Sequence, residues 1–194
     1  MKRRIRVIRL ILWLSLFTFV APGFTEWART PQVNEEARDF KIFTDRVQEY
    51  VKMQKGLKAS LPALNPTKDA ARIIEHQHAL ARKIADARRD ARQGDIFTRE
   101  VAERFRKIID RTFRGPEGRL ARETIRADSG SKVVVLHVND VYPDEIPMTT
   151  TPPTLLYRLP NLPQELAYRI VGHDLTLLDT EARLIVDLIP NAIR

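Results

Sequence analysis

The sequence predicts an α+β protein: an N-terminal helical layer of three to four helices followed by a small C-terminal antiparallel β-meander. Three observations carry that prediction. Apolar residues recur at three- and four-residue steps between residues 35 and 125. The pattern changes after Ser129-Gly130-Ser131, and three short apolar runs separated by turn residues close the chain. A single folding unit is expected over 34–194, with a helical part at 34–128 and a Pro-rich strap and β part at 132–192. At 194 residues, 43% hydrophobic and 30% charged, the chain is neither a disordered nor a polytopic membrane protein.

The start of the chain is read separately. Five basic residues lie in positions 1–9, and Leu10 to Val20 form an apolar run broken only by Ser15 and Thr18. This is the pattern of a secretory signal, assigned to 1–23 and followed by a tether at 24–33. A spanning helix needs about 20 apolar residues, so an uncleaved inner-membrane anchor is the minority reading. The expected location is periplasmic or secreted. With no cysteine anywhere, thiol nucleophiles, cysteine-held metals and disulfides are excluded, and stability rests on packing.

Each element then has a local reason. Asn34 is placed to cap a first helix, with Glu35 and Glu36 in its first turn and Phe40, Phe43, Val47, Tyr50 and Leu57 along one face to about residue 58. Pro62 and Pro66 make a stiff connector. Thr67 or Asp69 caps a second helix through Ile73, Leu80, Ile84 and Ala87, with Gly94 placed to end it. Thr98 caps a third helix through Val101, Phe105, Ile108, Ile109 and Phe113, and Pro116 suits the first turn of a short fourth one. Val133 to Val138 reads as a buried strand. Six prolines between 139 and 163 predict extended or turn structure, with one helical turn at Leu155 to Leu159. Leu166–Val171, Leu175–Leu178 and Arg183–Ile189 form the meander.

Charge is uneven along these parts. The formal net charge is +8, but beyond the leader 28 basic residues face 25 acidic ones. Residues 82–126 hold 14 basic and 8 acidic side chains, whereas 127–194 hold 5 and 9. Arg88, Arg89, Arg92, Arg99 and Arg106 are the candidates for binding an anionic surface such as membrane headgroups. Interleaved acids four residues away, as in Glu100 with Arg104 and Glu103 with Lys107, favour a solvated, ion-paired face instead. No nucleic-acid partner is expected outside the cell.

The candidates for chemistry are few. His76 and His78 sit two apart, roughly 200° around a helix, and so cannot grip one ion together. His76 and His137 remain as candidate ligands, and His173, Asp174 and His76 as candidate catalytic residues of a metal- or carboxylate-assisted hydrolase. No serine sits in a nucleophile elbow, and no glycine run builds a phosphate cradle, so no cofactor is implied. The carboxylates near Tyr142 (Asp140, Asp144, Glu145) and those of the meander turns (Asp174, Asp179) read as turn caps.

At Gln93-Gly94-Asp95-Ile96-Phe97, at Leu159 to Leu175 (LPNLPQELAYRIVGHDL) and at Leu184 to Pro190 the chain resembles a group of exported bacterial proteins of uncharacterised function. The resemblance spans most of the chain beyond the leader and implies export and one folding unit, with no activity attached. The expected function is therefore that of a non-catalytic binding or interaction protein with a protein partner or envelope component. The alternatives are the hydrolase, or a peripheral protein on an anionic membrane surface, with direct membrane contact through the leader if it stays uncleaved.

Overall fold

Asn34 opens α1 (Glu35–Ala59) by accepting the Ala37 N–H at 3.3 Å, with Glu35 and Glu36 against the positive end of the helix. The computed structural model describes residues 34–128, 135–143 and 150–193, all within the unit Val33–Arg194. The leader at 1–23, the tether at 24–33, Ser129 to Val134, and Asp144 and Glu145 lie outside the described residues. Asp69 caps α2 (Ala70–Ala87) through the Ala71 N–H at 3.0 Å, and Thr98 caps α3 (Arg99–Phe113) through the Val101 N–H at 3.4 Å. α4 spans Pro116–Asp128, and α5 is the single turn Pro153–Leu156. Gly118 is required where α4 leaves α3, because a side-chain carbon there would meet the Phe113 backbone at 2.4 Å.

The meander follows as β1 (Leu166–Val171), β2 (Asp174–Asp179) and β3 (Leu184–Ile189), antiparallel in the order β1-β2-β3. The β1–β2 hairpin turns on Gly172 at φ +59, a conformation that costs glycine nothing. The chain is thus α+β, with helices first and the sheet last.

One sheet face carries Leu166, Tyr168, Ile170, Leu175, Leu177, Leu184, Val186 and Ile189 into a core shared with all five helices. Phe43, Phe97, Phe105 and Tyr168 pack there with ring centroids 5.2–6.3 Å apart. Each such fully buried aromatic contributes about 1.5–3 kcal/mol by removal from water. The other face carries Val171, Leu178, Ile185 and Leu188 and is covered by Leu136, Val138 and Tyr142. Coverage on both sides explains why every residue of β3 is buried.

Two expectations are corrected. The run ending at Val138 is not a strand where it is described: Val135 is 70% exposed, and pairing begins later, at Asn139 to Tyr142. There the Asn139 N–H donates to the Ile185 carbonyl, the Ile185 N–H to the Asp140 carbonyl and the Tyr142 N–H to the Arg183 carbonyl. Asn139, at φ +70, turns the chain into that edge. Thr150 bridges Arg169 on the outer side of β1, as residues 139–142 border β3. Second, α2 stops at Ala87, seven residues before Gly94, and residues 88–97 form a turn of their own.

Candidate functional site

That turn builds the site. Arg88 leaves helical geometry at φ −114, ψ 29, and its side chain turns inward. The guanidinium donates to Asn139 Oδ1 at 3.1 Å and to the Val186 carbonyl at 3.0 Å, while Asn139 Nδ2 donates back to the Arg88 carbonyl at 2.8 Å. It lies 5.1 Å from the centre of the Tyr50 ring, within cation–π range. Burial holds Arg88 below its ordinary pKa, opposed by Tyr50 and by the Asp187 and Asp95 carboxylates.

Residues 94–97 wrap around Asp187. Its Oδ1 accepts the Gly94 and Leu188 N–H groups at 2.9 and 2.8 Å, and its Oδ2 accepts those of Ile96 and Phe97, both at 2.8 Å. Strand alternation alone would not aim this carboxylate at the helices. The register shifts between Leu177 and Leu178, pairing Leu177 with Asp187 and Leu178 with Ile185, so Val186 is an extra residue on β3. Leu177 and Val186 belong to the helix-side core, and Asp187 shares Leu177's face; the bulge turns two consecutive β3 residues the same way. Gly94, at φ +94, lets the turn close on the carboxylate. Burial pushes the Asp187 carboxyl up from its ordinary value, and the four N–H groups oppose that shift.

On the facing side, Arg46, Glu49, Tyr50 and Met53 form one stripe of α1 at three- and four-residue steps. With Arg88, Asp95 and Ile96 they line an open cleft of about 300 Å³. Tyr50 makes its floor. Its hydroxyl donates to Asp179 Oδ2 at 2.8 Å, and Asp179 Oδ1 also accepts the Glu181 and Ala182 N–H groups at 2.9 and 2.7 Å. Burial, then the Asp179 carboxylate, drives the Tyr50 hydroxyl far above its ordinary pKa, and burial pushes Asp179 up as well. Arg46 donates to the Asp95 carbonyl and bridges the cleft's two walls. Beside this floor, Gln54 donates to Glu181, and Lys58 and Lys55 pair with Glu181 and Glu165, so the C-terminal end of α1 is tied to the acidic end of the sheet.

The sequence-predicted residues sit elsewhere or are already occupied. Asp174 accepts the Asn191 N–H at 2.8 Å and the His173 carbonyl accepts the Ile193 N–H at 3.0 Å, so this pair fastens the C-terminal tail. His137 pairs with its own turn residue Asp140 at 3.1 Å, and His76 lies on α2. Among the described residues no group of three or more His, Asp or Glu side chains is arranged to hold a metal ion. Of the anionic-surface candidates, Arg88 is spent inward and Arg106 donates to the Pro190 carbonyl at 3.2 Å. Arg99 pairs with Glu103 and Arg89 leans on the Asp86 carbonyl, while Arg92 is exposed in the 88–97 turn. Arg104 reaches Asp39 and Glu35 across on α1 rather than Glu100.

Tyr50 was legible only as a core aromatic, and Asp187 and Asn139 not at all. The available signal was a lone carboxylate inside the apolar run LIVDLI, Leu184 to Ile189. Among the described residues no helix is long and apolar enough to cross a membrane. No protein-family model, curated protein or solved structure matches the chain.

Proposed function

We propose that this chain is an exported envelope protein that binds rather than transforms its target, and that the cleft between α1 and the 88–97 turn is its binding surface. The observation that carries the reading is that the cleft is fixed before any target arrives. The Tyr50 hydroxyl is committed to Asp179 and the Arg88 guanidinium to Asn139 and Val186, so neither is a free acid, base or nucleophile. What the opening presents is exposed Arg46 and Glu49 with the half-buried Met53 and Arg88, set over the buried Tyr50 ring and Ile96, which suits recognition by a pre-formed site. Export rests on the basic-then-apolar leader and on the resemblance to exported bacterial proteins.

The test places a photoreactive amino acid at Met53 of the full-length chain and, separately, at exposed Ile74 on α2, in intact cells of its source. A specific crosslink at Met53, absent at Ile74, in the envelope fraction is the expected result. Equal labelling at both positions overturns the cleft, and recovery of the chain in the cytosol overturns export.

A further inference from the structure

The cleft's charges show what it would hold. Arg46 and Glu49 lie three apart on α1, close enough to pair with each other, with side-chain bases about 5–6 Å apart. They form no ion pair, because Arg46 is drawn across to the Asp95 carbonyl. Glu49 is exposed, and among the described residues its carboxylate has no hydrogen-bond or ion-pair partner. The site therefore offers an unanswered anion beside a cation with donors to spare, and half-buried Met53 supplies apolar surface next to them. A volume of about 300 Å³ is at the small end of ligand sites.

On these grounds we propose that the cleft binds a small zwitterion of about dipeptide size, its ammonium on Glu49, its carboxylate on Arg46 and an apolar side chain against Met53. The inference rests on the reading of the cleft as the binding surface. The i, i+3 spacing roots the two charged side chains on the same side of α1, within reach of the two ends of such a ligand, and Tyr50 and Arg88, held to Asp179 and to Val186, form the floor beneath them. A ligand of one charge only would leave either Glu49 or Arg46 desolvated and unanswered.

Calorimetric titration of the full-length chain with the dipeptide Leu-Ala, its N-acetyl form and its C-terminal amide tests this. Saturable binding of the free dipeptide is expected, with roughly tenfold weaker binding when either end is blocked. Glu49→Gln is expected to erase the discrimination against the acetylated form and keep that against the amide; Arg46→Gln is expected to do the reverse. Both positions are exposed, and circular dichroism checks that the variants are folded. Blocked and free dipeptides binding alike, or discrimination that survives both substitutions, overturns the ligand class. If Leu-Ala does not bind while the Met53 crosslink forms, the ligand class falls and the cleft stands. If neither is observed, both fall.

Discussion

The sheet buries two carboxylates against the helical layer, and it answers them differently. Asp179, at the end of β2, receives one side-chain hydroxyl from Tyr50 of α1 and two N–H groups of its own turn. Asp187, on the β3 bulge, receives backbone N–H groups only, three of them from the distant 94–97 turn. A side-chain answer depends on one residue that substitution can remove. A backbone answer makes no use of the turn's side chains, asks only for a glycine at position 94, and otherwise depends on the carboxylate itself. The first arrangement fastens a helix to a hairpin, whereas the second gives an irregular turn, one wall of the cleft, the rigidity of regular structure.

The largest effect should come from Asp187→Ala. It leaves several buried N–H groups without an acceptor, at about 3 kcal/mol or more. The urea midpoint should fall with an unchanged slope, and the Met53 crosslink should weaken along with it. A variant whose midpoint stays near that of the parent would mean that water replaces the carboxylate, and that the turn does not depend on it.

Tyr50→Phe tests the other carboxylate. The ring and its contact with Arg88 are kept, and only the hydroxyl bond to Asp179 is lost, so the expected cost is about 2 kcal/mol. Asp179 keeps its two N–H partners, which is why the loss should be smaller than at Asp187. Gly94→Ala ranks third. Space is not the obstacle, since the nearest atom to an added carbon is the Phe97 carbonyl oxygen at 3.6 Å. The backbone at φ +94 is, and about 1–2 kcal/mol is expected from that strain alone.

The contrast between the two carboxylates also explains what the sequence could show. Caps and turns act within a few residues, so Asn34, Asp69, Thr98 and Gly172 announced their elements. The meander was legible because turn residues separate its apolar runs. Asp179 was legible as a turn cap, because two of its partners lie two and three positions away. Asp187's decisive partners lie 90 to 93 positions away, and the bulge that aims it is a property of strand pairing rather than of any local motif. For the same reason Gly94 looked like a helix terminator: its positive φ serves a carboxylate on β3, and α2 had already ended where Arg88 turned toward Val186. The Val133 to Val138 run reads as a strand, yet its described part, 135–138, is not one, because β-branching favours a strand without saying which residues reach a sheet edge.

The smallest expected effect is in the pH dependence, and its sign separates burial from hydrogen bonding. Burial holds Asp187 above its ordinary value of 3.8, so between that value and its folded one the native state binds more protons than the unfolded chain. Its contribution is fully present below 3.8 and is lost as pH rises through the folded value. Glu165 is the opposite case: the Lys55 ammonium holds it below its ordinary 4.5, so its contribution is present above that value and is lost as pH falls. Urea midpoints between about pH 3.5 and 7 should therefore rise more steeply with pH in Asp187→Asn than in the parent, and less steeply in Glu165→Gln, each by at most about 1.4 kcal/mol per pH unit. A flatter profile in Asp187→Asn would mean that its four N–H partners outweigh its burial. The backbone cradle would then be an anion site strong enough to favour charge inside the core, and Asp187 and Asp179 would differ in kind rather than in degree.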